Sequence, residues 1–267
     1  MRLARDFICE KIKIYGMSIF QSFSKSLGIQ GRAVGFLFSN GMAWMLLIPI
    51  VLFVGMAIFG IMSIGELARM ASESLLVQDW EFMVPFIVIF FKLLFFIVFG
   101  MWGGYVVVII MSPFMAYVSE KTEQILDGKE YPFDLFQVLK DALRGILLAI
   151  RNCFMEFLIG LLIFIGAFIP IIGPIASSVL GTVFLFFVSA YFYGFSFMDY
   201  TNERRRLSVR QSVNYVKNNK GMAVGHGFIF ALVLYIPFVG PFISALLAIT
   251  STVAATIEMV DAQEQAA

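Results

Sequence analysis

Charged side chains are scarce in this 267-residue chain, at 14%, and histidine is scarcer, with one copy at His226. So little charge excludes an ordinary soluble domain, in which about a quarter of residues are charged. One histidine and two cysteines, Cys9 and Cys153, exclude a zinc or disulfide framework, which needs such residues to recur at set spacings. Two separated thiols read as small apolar residues. A Gly-x-Ser-x-Gly nucleophile elbow and a phosphate-cradling P-loop are also missing. Their absence argues against a serine hydrolase and an ATP-driven pump. No catalytic residue, metal or cofactor is expected, nor nucleic acid as a partner. The first long apolar run starts near Met42, too far along for a signal-peptide core, so none is expected.

What is abundant is apolar. Hydrophobic residues make up 60% of the chain, phenylalanine alone contributes 31, and the mean hydropathy is +0.91. This is the composition of a polytopic integral membrane protein. The fold class expected is all-α: two long spanning helices plus two helical hairpins, at least the second re-entrant, with amphipathic interfacial helices.

The hairpins are read from a repeated device. Ile169-Pro170-Ile171-Ile172-Gly173-Pro174 recurs about 67 residues later as Ile236-Pro237-Phe238-Val239-Gly240-Pro241. Each copy lies between apolar runs. Pro170 and Pro237 can end a helix, because proline lacks an N–H and clashes with the preceding turn. Gly173-Pro174 and Gly240-Pro241 then make the corner, glycine accepting unusual backbone angles and proline opening the returning helix. The entering arm of the second hairpin, His226 to Ile236, gives roughly 16 Å of helix. A bilayer core is about 30 Å thick, so that arm cannot cross it. The returning arm, Phe242 to Ile257, is marginal. The first hairpin, with arms Phe154–Ile169 and Ile175–Met198, is long enough either to span or to re-enter.

Residues 1–40 read as a basic interfacial segment in which Arg2, Arg5, Lys11, Lys13, Lys25 and Arg32 alternate with aromatics and aliphatics. Residues 41–267 form one transmembrane domain in three parts. The first, 41–118, is a long helical hairpin: a span over Met42–Gly65, a turn near Gln78-Asp79, and one helix from Phe82 to Tyr117. The second, 119–198, has an amphipathic helix leading into the first hairpin. The third, 199–267, repeats that plan, with Val209, Val213 and Val216 lining its amphipathic helix. Basic residues crowd the N-terminus, 119–151 and 199–220, which by the positive-inside rule are cytoplasmic.

Four stretches carry a further pattern: Gly35–Phe53; Ser112-Pro113-Phe114 through Glu120-Lys121; Ile169–Tyr200, the strongest, ending in Met198-Asp199-Tyr200; and Gly227–Ala255. In this order they resemble one family, the CysZ-type sulfate permeases and their relatives that share a domain with etoposide-induced protein 2.4. The resemblance implies two long spanning helices, two hairpins that penetrate partway, assembly into a homo-oligomer, and sulfate uptake across a bacterial inner membrane. It also implies a substrate motif, Gly-Leu-Arg, before the first span. The matching positions are Gly41-Met42-Ala43: the glycine is kept and the arginine replaced. Gly41, Met42, Ala43 and the nearby Arg32 are the substrate-binding candidates.

Charges beside apolar runs are costly and need partners. Glu66 and Lys92 lie at equal distances from the expected turn and are read either as a cross-hairpin pair or with Lys92 snorkelling outward alone. Asp199 is expected to cap a helix or pair with Arg204 or Arg205. Arg204-Arg205-Arg206 reads as a lipid-facing or solvated group, or as a collector of sulfate. His226 reads as interfacial, as do Glu156 and Glu258. Two functions stay open: a permease or channel for a small inorganic anion, and a non-transporting, lipid-interacting scaffold or assembly factor of the same fold. The lipid bilayer is a partner in both.

Overall fold

The computed structural model describes residues 18–75, 84–128, 135–170, 173–174, 177–236 and 238–265. Residues 1–17, the expected turn at Gln78-Asp79 and Pro237 lie outside them. The described residues are helical, with no strand among them. The helices are α1 (Ile19–Ser39), α2 (Leu47–Leu75, entered through a 3-10 turn at Ala43–Leu46), α3 (Val84–Ile110), α4 (Ser112–Asp127), α5 (Leu135–Gly166), α6 (Thr182–Arg204, entered through a π-type turn), α7 (Val209–Asn218), α8 (Lys220–Leu234) and α9 (Val239–Glu264). Among the described residues, four helical stretches are long and apolar enough to cross a membrane: Ala43–Leu67, Leu143–Gly166, Ser177–Arg204 and Val239–Glu264. The chain is an all-helical membrane protein.

Three expected helices have different bounds. The single helix from Phe82 to Tyr117 is interrupted at Met111, because Pro113 cannot donate to the preceding turn and crowds it. The amphipathic helix and the first arm of the first hairpin are one helix, α5, which runs 32 residues with no proline to stop it. The returning arm of the second hairpin is not marginal: α9 has 26 residues. Its entering arm, α8, has 15 residues, roughly 22 Å.

The chain divides into two compact units. One comprises Met1–Met42, Pro113–Leu232 and Leu247–Ala267; the other comprises Ala43–Ser112 and Val233–Leu246. In the second unit α2 and α3 run antiparallel. Gly60 lets the Phe95 ring lie on its backbone, where a Cβ would come within 2.0 Å, and Gly65 faces Lys92 in the same way. Phe53 packs on Phe99 at 4.9 Å and on Phe242 at 5.1 Å, and Phe96 stacks on Phe238, so the aromatic hairpin holds the second tip.

In the first unit the core is the part of α9 from Leu247 onward. Of the whole helix's apolar stretch 83% is buried within the protein, against 11–22% for the other three spanning candidates. Its inner residues in this unit are small, including Ala248, Ser251, Thr252 and Ala255. Small residues let helices approach closely, the principal source of packing energy in lipid. Around it, α8 is pressed between two neighbours. Gly221 and Gly225 meet α1 at Ile19, Ser22 and Ser26, and Gly227 meets Ala190 and Gly194 of α6 backbone to backbone. Helix α1 opens with a capping box: the Ser18 hydroxyl accepts from the Gln21 N–H while the Gln21 amide oxygen accepts from the Ser18 N–H.

The two Pro-Gly-Pro tips share their hydrogen bonds at the same offset. The Gly173 N–H donates to Ile169 O at 2.9 Å, as the Gly240 N–H donates to Ile236 O at 2.8 Å. The Ile169 N–H donates to Gly166 O and the Ile236 N–H to Val233 O. Both glycines also lie on a carbonyl seven residues back, where a Cβ would come within 2.5 Å of Gly166 O or 2.2 Å of Val233 O. No other residue fits either corner without movement of the arm.

Candidate functional site

The end of α6 carries three consecutive arginines, a placement the negative end of a helix favours. Two of them turn inward. Arg204 donates from Nε and Nη2 to Glu123 Oε2 at 3.0 and 2.9 Å, and Glu123, on α4, is 1% exposed. Arg205 Nη2 lies 4.0 Å from Glu123 Oε1 and donates to the Met259 carbonyl at 3.2 Å. One carboxylate thus stands between two guanidiniums, and the trio carries one net positive charge. Arg205 Nε is buried with no acceptor. Arg206 takes a left-handed φ of 54° and is exposed.

One turn inward from these groups lies a triangle of buried hydroxyls. Ser119 Oγ is 2.6 Å from Thr256 Oγ1 and 3.2 Å from Thr201 Oγ1, and the two threonine oxygens are 3.2 Å apart. Thr256 reaches back to Thr252 O at 2.9 Å. Helical spacing makes this arrangement: Ser119 precedes Glu123 by one turn, and Thr201 precedes Arg204 and Arg205 by one turn. Guanidinium and hydroxyl donors suit an oxyanion, which accepts from both, although Arg144 between Asp199 and Glu203 makes the helix end as a whole charge-balanced.

A second network braces the same helix end. Arg144 grips Asp199 with two bonds, at 3.0 and 2.8 Å, and donates to Leu207 O at 3.0 Å. Ser212 also donates to Asp199, and Asn202 donates to Ser212. The expected pairing of Asp199 with Arg204 or Arg205 is therefore corrected. Both of those arginines lie beyond it on its own helix and are drawn to Glu123, while α5 delivers Arg144 in the geometry a carboxylate prefers.

The interfacial reading of His226 and Glu258 is also corrected. Both are fully buried, with His226 Nε2 2.9 Å from Glu258 Oε2. The two groups are in close contact without the alignment of a hydrogen bond, and neither Glu258 oxygen has another donor among the described residues. Gln30 Nε2 lies 3.4 Å from His226 Nδ1, and Ser251 reaches Gln30 Oε1 at 3.5 Å. His226 turns inward because α8 starts at Lys220, so position 226 lies inside the helix, not at its mouth. Removing one member of such a pair costs about 3–5 kcal/mol, whereas replacing both with apolar groups is often neutral. His226→Leu and Glu258→Leu should each lower the unfolding temperature of the purified protein, and the double variant should recover most of the loss. Losses that simply add would show that the two groups act independently. Glu156, the other carboxylate read as interfacial, is half-buried and accepts from Ser189.

The remaining candidates are dispersed. Gly41 takes a φ of 68° just past the end of α1, where the Met42 N–H closes on Leu37 O at 2.9 Å. That is the carbonyl end of a helix, the wrong polarity for an anion. Met42 is buried, and Ala43 opens the 3-10 turn. Arg32 is 64% exposed and bridges Asp261 at 3.3 Å. Glu66 is bonded to Arg69, one turn along α2, at 3.1 Å, in place of the expected Lys92. Lys92 comes level as expected but lies against Gly65. At the second tip the Gly240 N–H is spent on Ile236 and Pro241 has none, so the corner offers an anion fewer donors than its proline pattern suggests. Sequence reasoning missed Glu123, Arg144 and the hydroxyl triangle. Thr252 and Thr256, four residues apart inside an apolar run, were the available signal.

The family described as sulfate transporter CysZ/etoposide-induced protein 2.4 matches residues 30–244. Sulfate transporter CysZ from Vibrio cholerae serotype O1, strains O395, M66-2 and El Tor Inaba N16961, is 27% identical over 135 residues, half of this chain. The matched region spans about half the length of those relatives, at 52%.

Proposed function

This chain belongs to the sulfate transporter CysZ/etoposide-induced protein 2.4 family, and from that premise we propose that it is a permease or channel for a small, sulfate-like inorganic anion in a bacterial inner membrane. The observation that carries the reading is the buried Arg204–Glu123–Arg205 trio beside the Ser119, Thr201 and Thr256 hydroxyls. Buried cationic donors inside a membrane protein are costly and mark ion pathways. In this reading the anion exchanges with Glu123 as partner of the guanidiniums and is passed along the hydroxyls. The arginine that the family places at position 43 is supplied functionally by Arg204 and Arg205.

The second hairpin is re-entrant in this account. Its 15-residue entering arm, roughly 22 Å, is too short for a core about 30 Å thick. In a background with Cys9 and Cys153 replaced, cysteines at Phe238 or Val239 should resist membrane-impermeant thiol reagents added from outside. Ready labelling from that face would show that the hairpin spans. The N-terminus lies in the cytoplasm, and the protein assembles as a homo-oligomer.

Equilibrium binding of labelled sulfate to the purified protein tests the reading. Binding should weaken at least tenfold in Arg205→Gln and strengthen in Ala43→Arg. One observation favours a non-transporting scaffold: alanine stands where the family motif has arginine. Well-folded protein that binds no sulfate in either the native or the Ala43→Arg form would select the scaffold.

A further inference from the structure

Between Arg204 and Ile257 the sequence contains no carboxylate, yet Arg204, Arg205, Arg206, Arg210, Lys217 and Lys220 fall within its first part. The structure sorts these six cations. Arg204 and Arg205 turn inward to Glu123, and the other four are exposed with no ion pair or side-chain hydrogen bond among the described residues. Helix α7 carries Arg210 and Lys217. It buries Ser212, Tyr215 and Val216 and exposes Arg210, Asn214 and Lys217. At about 3.6 residues per turn these three exposed positions fall on one stripe, Arg210 and Lys217 roughly 10 Å apart along the axis. A capping box, in which Ser208 and Gln211 bond each other's backbone N–H, fixes the start of the helix and with it the direction of that stripe.

Chain order places this stripe at the edge of the bilayer. The spanning candidate Ser177–Arg204 ends immediately before it, and the apolar helix Lys220–Leu234 begins immediately after it. The segment between two membrane-entering helices lies where the headgroups are. A cationic, carboxylate-free face there complements a layer of phosphodiesters, and each lysine or arginine near an anionic surface is attracted to it.

We infer that Arg206, Arg210, Lys217 and Lys220 form a docking face for the anionic phospholipids of one leaflet, which seats α7 and orients the base of the second hairpin. This inference does not depend on what the protein carries. The test uses the full chain purified in neutral detergent and titrated separately with phosphatidylglycerol, phosphatidylcholine and inorganic phosphate, with thermal unfolding as the readout. Phosphatidylglycerol should stabilise the protein at lower concentration than phosphatidylcholine, and added salt should narrow the difference. Each cation replaced by glutamine should lower that preference about fivefold. The variant R206Q/R210Q/K217Q/K220Q should therefore lose it, while unfolding as the native protein does in phosphatidylcholine. If the quadruple variant does not fold, R210Q/K217Q should show a preference about 25-fold lower. An undiminished preference in either variant overturns the inference. So does inorganic phosphate matching phosphatidylglycerol, which would make the face a free-anion site.

Discussion

Glu123→Ala should leave the protein much less stable and more strongly stabilised by sulfate than the native protein is. The native carboxylate is 1% exposed and takes two hydrogen bonds from Arg204, with Arg205 at 4.0 Å on its other oxygen. Removing it strands two largely buried guanidiniums, a change of the kind that costs about 3–5 kcal/mol. In a chain of this size the unfolding temperature should fall by roughly 10 °C. The cavity left behind is bounded by guanidinium N–H groups, which bind oxyanions well. Millimolar sulfate should therefore restore part of the loss, whereas chloride at equal ionic strength, which lacks several acceptors in one body, should restore less. Glu123→Gln should be milder, since its amide oxygen still accepts one bond. A destabilised Glu123→Ala protein indifferent to sulfate would leave the trio a structural clamp and remove it from the transport account.

Gly227→Ala should be almost as damaging, against the usual direction of such a change. Inside an exposed helix, alanine in place of glycine stabilises by about 1 kcal/mol through backbone entropy. At position 227 the added Cβ would lie 1.8 Å from the Ala190 carbonyl oxygen and 2.6 Å from the Gly194 nitrogen. Both are backbone atoms, so no side chain can swing aside and α6 and α8 must separate. Overpacking a core costs about 1–3 kcal/mol even where side chains can adjust, so the packing loss outweighs the gain in propensity. Gly194→Ala meets the Ala223 carbonyl at 1.7 Å and should behave alike. Gly31, within α1 and with nothing inside 4 Å, provides the control: Gly31→Ala should be neutral or stabilising. Unfolding temperatures of the three purified variants decide the matter, and equal behaviour of Gly31→Ala and Gly227→Ala would contradict the close crossing.

The helical corners were legible in the sequence because their cause is local. Proline and glycine act on their own backbone, and the Gly173 and Gly240 bonds repeat at the spacing of the motif. The membrane environment was legible because composition alone decides it. Partners of buried charges were not. Asp199 finds Arg144 and His226 finds Glu258 through the packing of separate helices, and no spacing along one chain encodes such a register. Glu66 shows the other side of this. A charge near an apolar run needs a partner, yet Arg69, one turn away and already on the same helix, satisfies it without reaching across the hairpin to Lys92. The substrate candidates at Gly41, Met42 and Ala43 came from resemblance, not from the chemistry of their side chains, which offer an anion only backbone groups. The guanidiniums that do suit an anion sit at the end of α6, where the run of three arginines reads from sequence as a lipid-facing or solvated group or as a collector of sulfate.

Uptake of labelled sulfate into proteoliposomes tests the central claim most directly. Liposomes carrying the native protein should accumulate sulfate faster than empty ones down an imposed gradient. An Arg205→Gln protein, reconstituted to the same density and equally well folded, should lose at least nine-tenths of that rate. Uptake no faster than through empty liposomes, or uptake unchanged in Arg205→Gln, would contradict the account.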